Sequence, residues 1–312
     1  SSFFFHQAAE IGLNPSQFLT YQINTSLRAR IRSNKNSRSH ARLLAKLDRS
    51  LKAQKASGDQ KIPVAVMLGG YSSERHISVE SGRNIYEKLA SSAKYAPIPV
   101  FLTGGPDDHE LYRLPTNLLL KDNADDIRQK VYDALSHPKH EIIAETIGRS
   151  RAVTERYAQD AVFKPEPLTY EQLAGQVEVA FIALHGRPGE DGAVQRELDR
   201  VDVPYNGSGV ESSQLTIDKY ATNERLRAKG LSVAKHALLT KQEWHSDAEA
   251  ALQRIQHEFG FPLIAKPSDD GCSAAVKKIV NIQGGRRSFL TRSRATASEP
   301  ERRVPPKGAY SD

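Results

Sequence analysis

Short apolar runs alternate with helix-like segments from residue 62 to about 280, and this alternation constrains the fold more than any other feature. It is typical of an α/β domain whose helices cover a mostly parallel sheet. Strands are predicted at 64–68, 99–102, 177–184, 233–239, 262–266 and 275–280, and helices at about 72–90, 192–200, 218–229 and 246–259.

The positive charge of the chain lies at its two ends. The 312 residues include 44 Lys and Arg and 37 Asp and Glu, a formal net charge of +7. Residues 1–61 carry a net +8 and residues 277–312 a net +6, which leaves −7 for the central part. Because phosphate binding requires clustered cations, RNA or an acidic membrane surface is a hypothesis for the ends alone. The single cysteine excludes an internal disulfide framework.

Three segments do not follow the alternating pattern. Residues 1–61 are interpreted as a basic, partly helical extension with one amphipathic helix over about 39–55, either solvated or binding a polyanion. Residues 103–170 are polar, predict one helix near 124–135, and are interpreted as an insertion. Residues 281–312 are rich in Gly, Arg, Ser and Pro, which predicts a basic disordered tail.

A glycine-rich loop follows the first predicted strand. It reads GGYSSERH over 69–76, and its two glycines allow the backbone to approach a ligand at the start of a helix. The spacing matches neither the dinucleotide fingerprint nor the Walker loop. Taken alone, Glu74 in this loop is also explained by an offset of the helix macrodipole.

Two further loops follow predicted strands. Residues 185–192 read HGRPGEDG, which is more functional chemistry than a tight turn requires. Residues 266–273 read KPSDDGCS, in which the lysine at the strand end is either a phosphate ligand or an ordinary surface lysine. Ligands of α/β sheets bind where strands end, so these loops predict a ligand site.

In this order the loops resemble the D-alanine–D-alanine ligases of the ATP-grasp superfamily. The resemblance implies an N-terminal three-layer parallel-sheet (pre-ATP-grasp) domain over 62–207, followed by an incomplete ATP-grasp domain over 208–280. The matching segments are LGGYSSERHISVESG at 68–82, FIALHGRPGEDGAVQ at 181–195, VPYNGSGVESSQLTIDKYATNERLRAKGLSV at 203–233 and FPLIAKPSDDGCSAAVKK at 261–278.

The resemblance implies a cytoplasmic ligase that joins two D-alanines for peptidoglycan synthesis through an acyl phosphate. Its cofactors would be ATP and Mg²⁺, and its partners D-alanine and a second copy bound through the N-terminal domain, with neither a membrane nor a nucleic acid. Two alternatives stay open: a ligase with D-lactate or D-serine as second substrate, and a non-catalytic substrate-binding or regulatory remnant.

The resemblance also assigns roles to residues. Glu74 would bind the ammonium group of the first D-alanine, and the loop 268–273 would close over the ATP phosphates. The expected site comprises catalytic Glu74, His185 and Cys272, substrate-binding Glu74, His185 and Glu190, and ATP-binding Lys219, Lys266 and Ser273. We expect Glu74, His185, Lys219 and Lys266 to share one cleft.

The sequence departs from the family pattern in the lid. Where the family has GSSVG, this chain has GCSAA at 271–275, so a thiol replaces a hydroxyl and an alanine replaces a glycine. A nucleophilic pair of Cys272 with His185 is rejected, because the ligase chemistry needs no thiol nucleophile.

The sequence also departs from the family pattern after Lys278. The acids that follow are Glu299, Glu301 and Asp312, none of them in the family's magnesium-binding context, so no metal site is predicted. We therefore expect a truncated or frame-disrupted chain whose activity is doubtful. An incomplete sheet would leave an unpaired strand edge and a partly molten region over about 208–280.

Overall fold

A computed structural model gives the structure of the chain. It describes residues 3–33, 37–56, 61–121, 123–137, 140–158, 161–269, 276–289 and 294–298. The chain divides into two compact units, Ser1–Gly209 and Val210–Asp312, close to the expected boundary at 207.

The first unit begins with three helices, and strands and further helices follow them. Its strands are β1 (Ile62–Gly69), β2 (Tyr95–Gly105), β3 (Asp108–Arg113), β4 (Glu166–Leu168) and β5 (Val179–Ile182). Its helices are α1 (Phe3–Glu10), α2 (Pro15–Arg32), α3 (Ser37–Ala56), α4 (Arg75–Ala90), α5 (Thr116–Lys121), α6 (Ala124–Ser136), α7 (Glu141–Arg149), α8 (Arg151–Tyr157), α9 (Tyr170–Ala174) and α10 (Ala193–Arg200).

The sheet of the first unit is mixed, with strand order β4-β3-β2-β1-β5. β1 pairs in parallel with β2 and β5, whereas β3 pairs antiparallel with β2 and β4. The expected parallel sheet is therefore correct at the centre and wrong at one edge. The physical reason is the two-residue connection between β2 and β3, which is long enough only for an antiparallel hairpin.

The side chains of β1 show why this unit has three layers. Successive strand residues point to opposite faces. Ala65 and Met67 pack with α9 and α10, while Val66 and Leu68 pack with α4 and α6. All four side chains are fully buried, which explains the continuous apolar run in the sequence.

The N-terminal segment is more helical than expected. α3 confirms the helix predicted over about 39–55, but α1 and α2 were not predicted. Asn14 and Gln17 form a capping box at the start of α2. This local signal precedes a helix whose apolar pattern is weak, and so periodicity alone missed it.

The stretch 103–170 is not a single insertion. It contains α6, as predicted, but also β3 and β4, which are strands of the central sheet. Its helix α8 packs against the N-terminal segment through Tyr157 and Ala158, which lie in one cluster with Ala8 and Leu13. The interpretation failed because a short, polar strand at a sheet edge is held by backbone pairing rather than by an apolar pattern.

The second unit has an antiparallel sheet with strand order β6-β9-β7-β8 among its described residues. Leu252 and Ile255 cover this sheet and pack with Leu263. Its strands are β6 (His236–Thr240), β7 (Leu263–Pro267), β8 (Lys277–Ile279) and β9 (Arg294–Ser298), and its helices are α11 (Val210–Ile217), α12 (Lys219–Ala228), α13 (Lys241–Ser246), α14 (Ala248–Phe259) and α15 (Ile282–Phe289).

The expected disordered tail from residue 281 is wrong for the residues that the structure describes there. α15 begins at Ile282, and β9 pairs with both β6 and β7. The sequence of β9, RATAS, contains no apolar side chain larger than alanine, and its pairing depends on distant backbone partners. Residues 299–312 lie outside the described part, and the partly molten region over 208–280 stays a prediction.

Candidate functional site

β1 and β5 end side by side, and each is followed by one of the predicted glycine-rich loops. Their parallel register ends at the pair of Met67 with Ile182. Gly69 and Gly70 then adopt φ values of +99° and +92°, and Gly186 adopts +64°. These values favour glycine, which lets both loops turn directly after the strands.

Two serine side chains join the loops beyond the last paired residues. The amide of Gly69 donates to Ser78 Oγ at 2.9 Å, and Ser78 Oγ donates to the carbonyl of Ala183 at 3.0 Å. Ser72 Oγ donates to the carbonyl of His185 at 2.9 Å. Because backbone groups at a buried sheet end need partners, these serines replace the missing strand pairing.

The serine bridge predicts a specific loss of stability. Ser78 is fully buried, so Ser78→Ala should leave the Gly69 amide and the Ala183 carbonyl without this partner and lower the free energy of unfolding by about 2 kcal/mol. Urea denaturation measures the change. Ser73→Ala, at an exposed position of the loop before α4, is the matched control and should have little effect. Equal midpoints for both variants would show that the bridge contributes nothing.

Glu74 lies where the two loops meet. Its amide donates to Ser72 Oγ at 3.1 Å, and its side chain makes no capping hydrogen bond to the helix α4 that follows. Its Oε2 atom is buried. A Cβ atom at Gly186 would lie 2.9 Å from Oε2, so the carboxylate lies directly against the second loop. The geometry therefore argues against a role of Glu74 in helix capping alone.

His185 belongs to the same hydrogen-bonded cluster as Glu74. Its carbonyl accepts from Ser72, whose oxygen also accepts from the Glu74 amide. Its Nε2 atom lies 2.9 Å from Ser81 Oγ on α4. The imidazole is thus fixed both through its backbone and through its ring, and the structure brings these two predicted residues together.

The two acids of the second loop differ in their surroundings. Glu190 is exposed, and its amide donates to the carbonyl of Gly186 at 2.8 Å. Asp191 accepts from the amide of Ala193 at 3.0 Å and lies 3.3 Å from Arg187 Nε. Asp191 therefore supports the loop, which leaves Glu190 as its accessible carboxylate.

An ion pair between α4 and α6, which the sequence analysis missed, supports the first loop. Arg75 Nε and Nη2 donate to the two carboxylate oxygens of Asp125 at 2.8 and 2.9 Å, and Arg75 Nη1 donates to the Ser72 carbonyl at 3.1 Å. The Arg75 hydrogen bonds lower the pKa of the Asp125 carboxyl below its usual range. Asp125 is 50 residues away in the sequence, and no local pattern indicates the pairing.

In the second unit, Lys219 begins α12 close to the end of β7. The Lys219 amide donates to the carbonyl of Ser268 at 2.7 Å, two residues after Lys266. Asp218 caps α12 by accepting from the amides of Tyr220 and Ala221, and Ser268 is fully buried beside it. The two predicted phosphate-binding lysines, both half-buried, thus belong to chain segments that are hydrogen-bonded to each other.

Two of the expected site residues, Cys272 and Ser273, lie outside the described residues. That Glu74, His185, Lys219 and Lys266 share one cleft stays a prediction. Within the described ranges, no group of three or more His, Cys, Asp or Glu side chains could hold a metal ion. No helix found there is long and apolar enough to cross a membrane.

Comparisons with known proteins find one family along both units. The family model described as D-ala D-ala ligase N-terminus matches residues 63–208, and that described as D-ala D-ala ligase C-terminus matches 226–292. The D-alanine–D-alanine ligase of Pelodictyon phaeoclathratiforme is 33% identical over 222 residues, 70% of this chain and 56% of the relative. That of Dechloromonas aromatica is 42% identical over 117 residues, 38% of this chain and 36% of the relative.

Two solved structures share the fold. The D-alanine–D-alanine ligase from Coxiella burnetii is 24% identical with a TM-score of 0.53, covering 78% of this chain and 64% of its own. The VanG D-Ala:D-Ser ligase from Enterococcus faecalis is 21% identical with a TM-score of 0.52, covering 77% of this chain and 63% of its own. The chain spans about 56% of the length of the Pelodictyon phaeoclathratiforme ligase.

Proposed function

The chain belongs to the D-alanine–D-alanine ligase family, and we propose that it is an ATP-dependent ligase that joins two D-alanines. The observation that carries this proposal is the cluster in which Glu74 and His185 are held by Ser72 at the meeting point of two loops. The product would serve peptidoglycan synthesis in the cytoplasm, and the first unit would mediate dimerisation.

Glu74 would bind the ammonium group of the first D-alanine. A carboxylate accepts charge-assisted hydrogen bonds from an ammonium group, and these are stronger than bonds between neutral groups. The bond of the Glu74 amide to Ser72 holds the backbone at this position, and the carboxylate lies close against Gly186 of the second loop before substrate arrives. Preorganisation of this kind orients the amino acid for reaction.

His185 and Glu190 would line the substrate side. The contact of His185 Nε2 with Ser81 holds the ring in one orientation, which fixes the imidazole as a hydrogen-bonding partner of the substrate. Glu190 is exposed and adds a second carboxylate in the second loop.

The proposed reaction has two steps. The γ-phosphoryl group of ATP is transferred to the carboxylate of the first D-alanine, which releases ADP. The amine of the second D-alanine then displaces phosphate from the acyl phosphate.

Lys219 and Lys266 would hold the ATP phosphates. Lysine ammonium groups act as mobile point charges for phosphates, and both residues lie in connected segments of the second unit. The described residues fit the phosphates in this respect. They do not fit Mg²⁺, because no cluster of metal-binding side chains occurs among them, and no step is derived through the ion.

The nucleotide assignment predicts a binding defect. Lys219→Met should weaken ATP binding by about tenfold or more, because a hydrogen-bonded charge contributes about 1.5–3 kcal/mol. Calorimetry with ATP measures the affinity. Lys229→Met, at the exposed end of the same helix, is the control and should bind ATP normally. If both variants bind ATP like the parent chain, the assignment of Lys219 is wrong.

The reaction itself is tested by ADP release. The proposal predicts ADP release that depends on both D-alanine and ATP. A second candidate, a non-catalytic substrate-binding protein, is favoured by the lack of a metal-binding cluster in the described part. D-alanine binding without ADP release would support that second function. If the chain neither binds D-alanine nor releases ADP, both candidate functions are wrong.

Replacing D-alanine by D-serine or D-lactate as the second substrate then decides specificity.

A further inference from the structure

The helices α1 to α3, which we call the helical arm, precede the residues that match the family. The arm is nevertheless fixed to the first unit. Asp48 accepts from Asn24 Nδ2 at 3.0 Å, Arg28 Nη2 at 3.1 Å and Arg156 Nη2 of α8 at 2.7 Å. These bonds join α2, α3 and α8, so the arm presents a defined surface rather than a loose chain.

One face of α3 is basic along its length. Arg38, Arg42, Lys46, Arg49 and Lys52 are all exposed. At about 100° per residue they lie on the side opposite the leucines at 44, 47 and 51. Arg38 and Lys52 are about 21 Å apart along the axis, at 1.5 Å per residue. This set is called the basic face.

The basic face is not neutralised by the described part of the chain. The acids of the described arm are Glu10 and Asp48. Glu10 accepts from Asn117 Nδ2, and Asp48 pairs with Arg28 and Arg156. No described ion pair includes a residue of the basic face. The positive charge is therefore available to an anionic partner.

The arm also exposes large apolar side chains. Phe3, Phe4, Leu19, Ile23 and Leu43 are 51% to 69% exposed. Leu19 and Ile23 share a face of α2 with the exposed Arg30, because residues i, i+4 and i+11 lie on one side of a helix. Leu43 lies three residues before Lys46 on α3. The arm thus exposes both apolar and cationic side chains.

We propose that the helical arm is a docking surface for an anionic phospholipid bilayer. A nucleic-acid backbone would neutralise the cations but leave the exposed apolar side chains in water. A lipid surface accounts for both, because cations bind headgroup phosphates while leucine, isoleucine and phenylalanine enter the interface. The docking is independent of the proposed ligase reaction.

Vesicle co-sedimentation of the whole chain tests this proposal. Wild-type protein should bind vesicles of mixed phosphatidylcholine and phosphatidylglycerol, and should not bind phosphatidylcholine alone. Reversing the charge at three positions of the basic face, with Arg42→Glu, Lys46→Glu and Arg49→Glu, should reduce the partition coefficient at least about tenfold. Replacing apolar contacts, with Leu19→Ser and Ile23→Ser, should reduce it at least about fivefold.

A matched control separates the basic face from net charge. Lys88→Glu, Lys229→Glu and Lys241→Glu reverse three exposed charges elsewhere and should bind vesicles nearly as wild type. Equal loss in both charge-reversal variants, or no vesicle binding by the wild type, would overturn the proposal. So would tighter binding to an RNA duplex that the two serine substitutions leave unchanged. If charge reversal disrupts the helices by circular dichroism, the apolar variant and the lipid comparison decide.

Discussion

Glu74→Gln is expected to lower the affinity of the chain for D-alanine by about a hundredfold. Glutamine keeps the shape of the side chain but removes the charge that is proposed to bind the ammonium group. Loss of one partner of a desolvated charge pair typically costs 2–5 kcal/mol. The Oε2 atom of Glu74 is buried, so water cannot take over the role of the missing charge. Calorimetric titration with D-alanine measures the change.

Glu80→Gln is the matched control for this prediction. Glu80 is exposed on α4, the helix that Glu74 precedes, and the substitution makes the same change in net charge. Its D-alanine affinity should equal that of the wild type. Normal binding by Glu74→Gln, or an equal loss in Glu80→Gln, would remove Glu74 from the substrate site.

Gly186→Ala is expected to abolish D-alanine binding and to lower the free energy of unfolding by at least about 2 kcal/mol. Gly186 has a φ of +64°, which is unfavourable for alanine. Its added Cβ would lie 2.8 Å from Ser72 Oγ and 2.9 Å from Glu74 Oε2. The two side chains that define the proposed site would have to move, so binding and stability should fall together.

Gly207→Ala is the control that separates the effect of the steric clash at Gly186 from the effect of backbone strain. Gly207 has a φ of +94°, but a Cβ there would meet no atom within 4 Å. This variant should show the cost of the backbone conformation alone and retain D-alanine binding. If Gly186→Ala binds D-alanine and unfolds like Gly207→Ala, the close contact between Glu74 and the second loop is not important for binding.

The central part of the fold was predictable because burial determines it. β1 is buried on both faces, and its continuous apolar run indicated a central strand. β3 was missed because its sequence, DHELYR, is mostly polar and only partly buried, and β9 because RATAS contains no apolar side chain larger than alanine. β9 depends on backbone pairing with distant segments, and β3 is held by the hairpin with β2 and by the distant β4, none of which periodicity reports.

The main residues of the candidate site were predictable from the sequence, but the hydrogen bonds that hold them in place were not. Glu74 and His185 lie in glycine-rich motifs that follow strands. The bond of Ser72 to His185 spans 113 residues of sequence, and that of Ser78 to Ala183 spans 105. Serine is too common for such long-range contacts to be inferred from one sequence. The structure therefore identifies the two serines that position the predicted site residues.

The most direct test of the account is a D-alanine titration of the isotope-labelled chain, followed by nuclear magnetic resonance. The account predicts saturable shifts of the His185 ring and of backbone amides in residues 69–74 and 185–190, with no such shifts in Glu74→Gln. Absence of these shifts in the wild type, or shifts confined to residues remote from both loops, would contradict it.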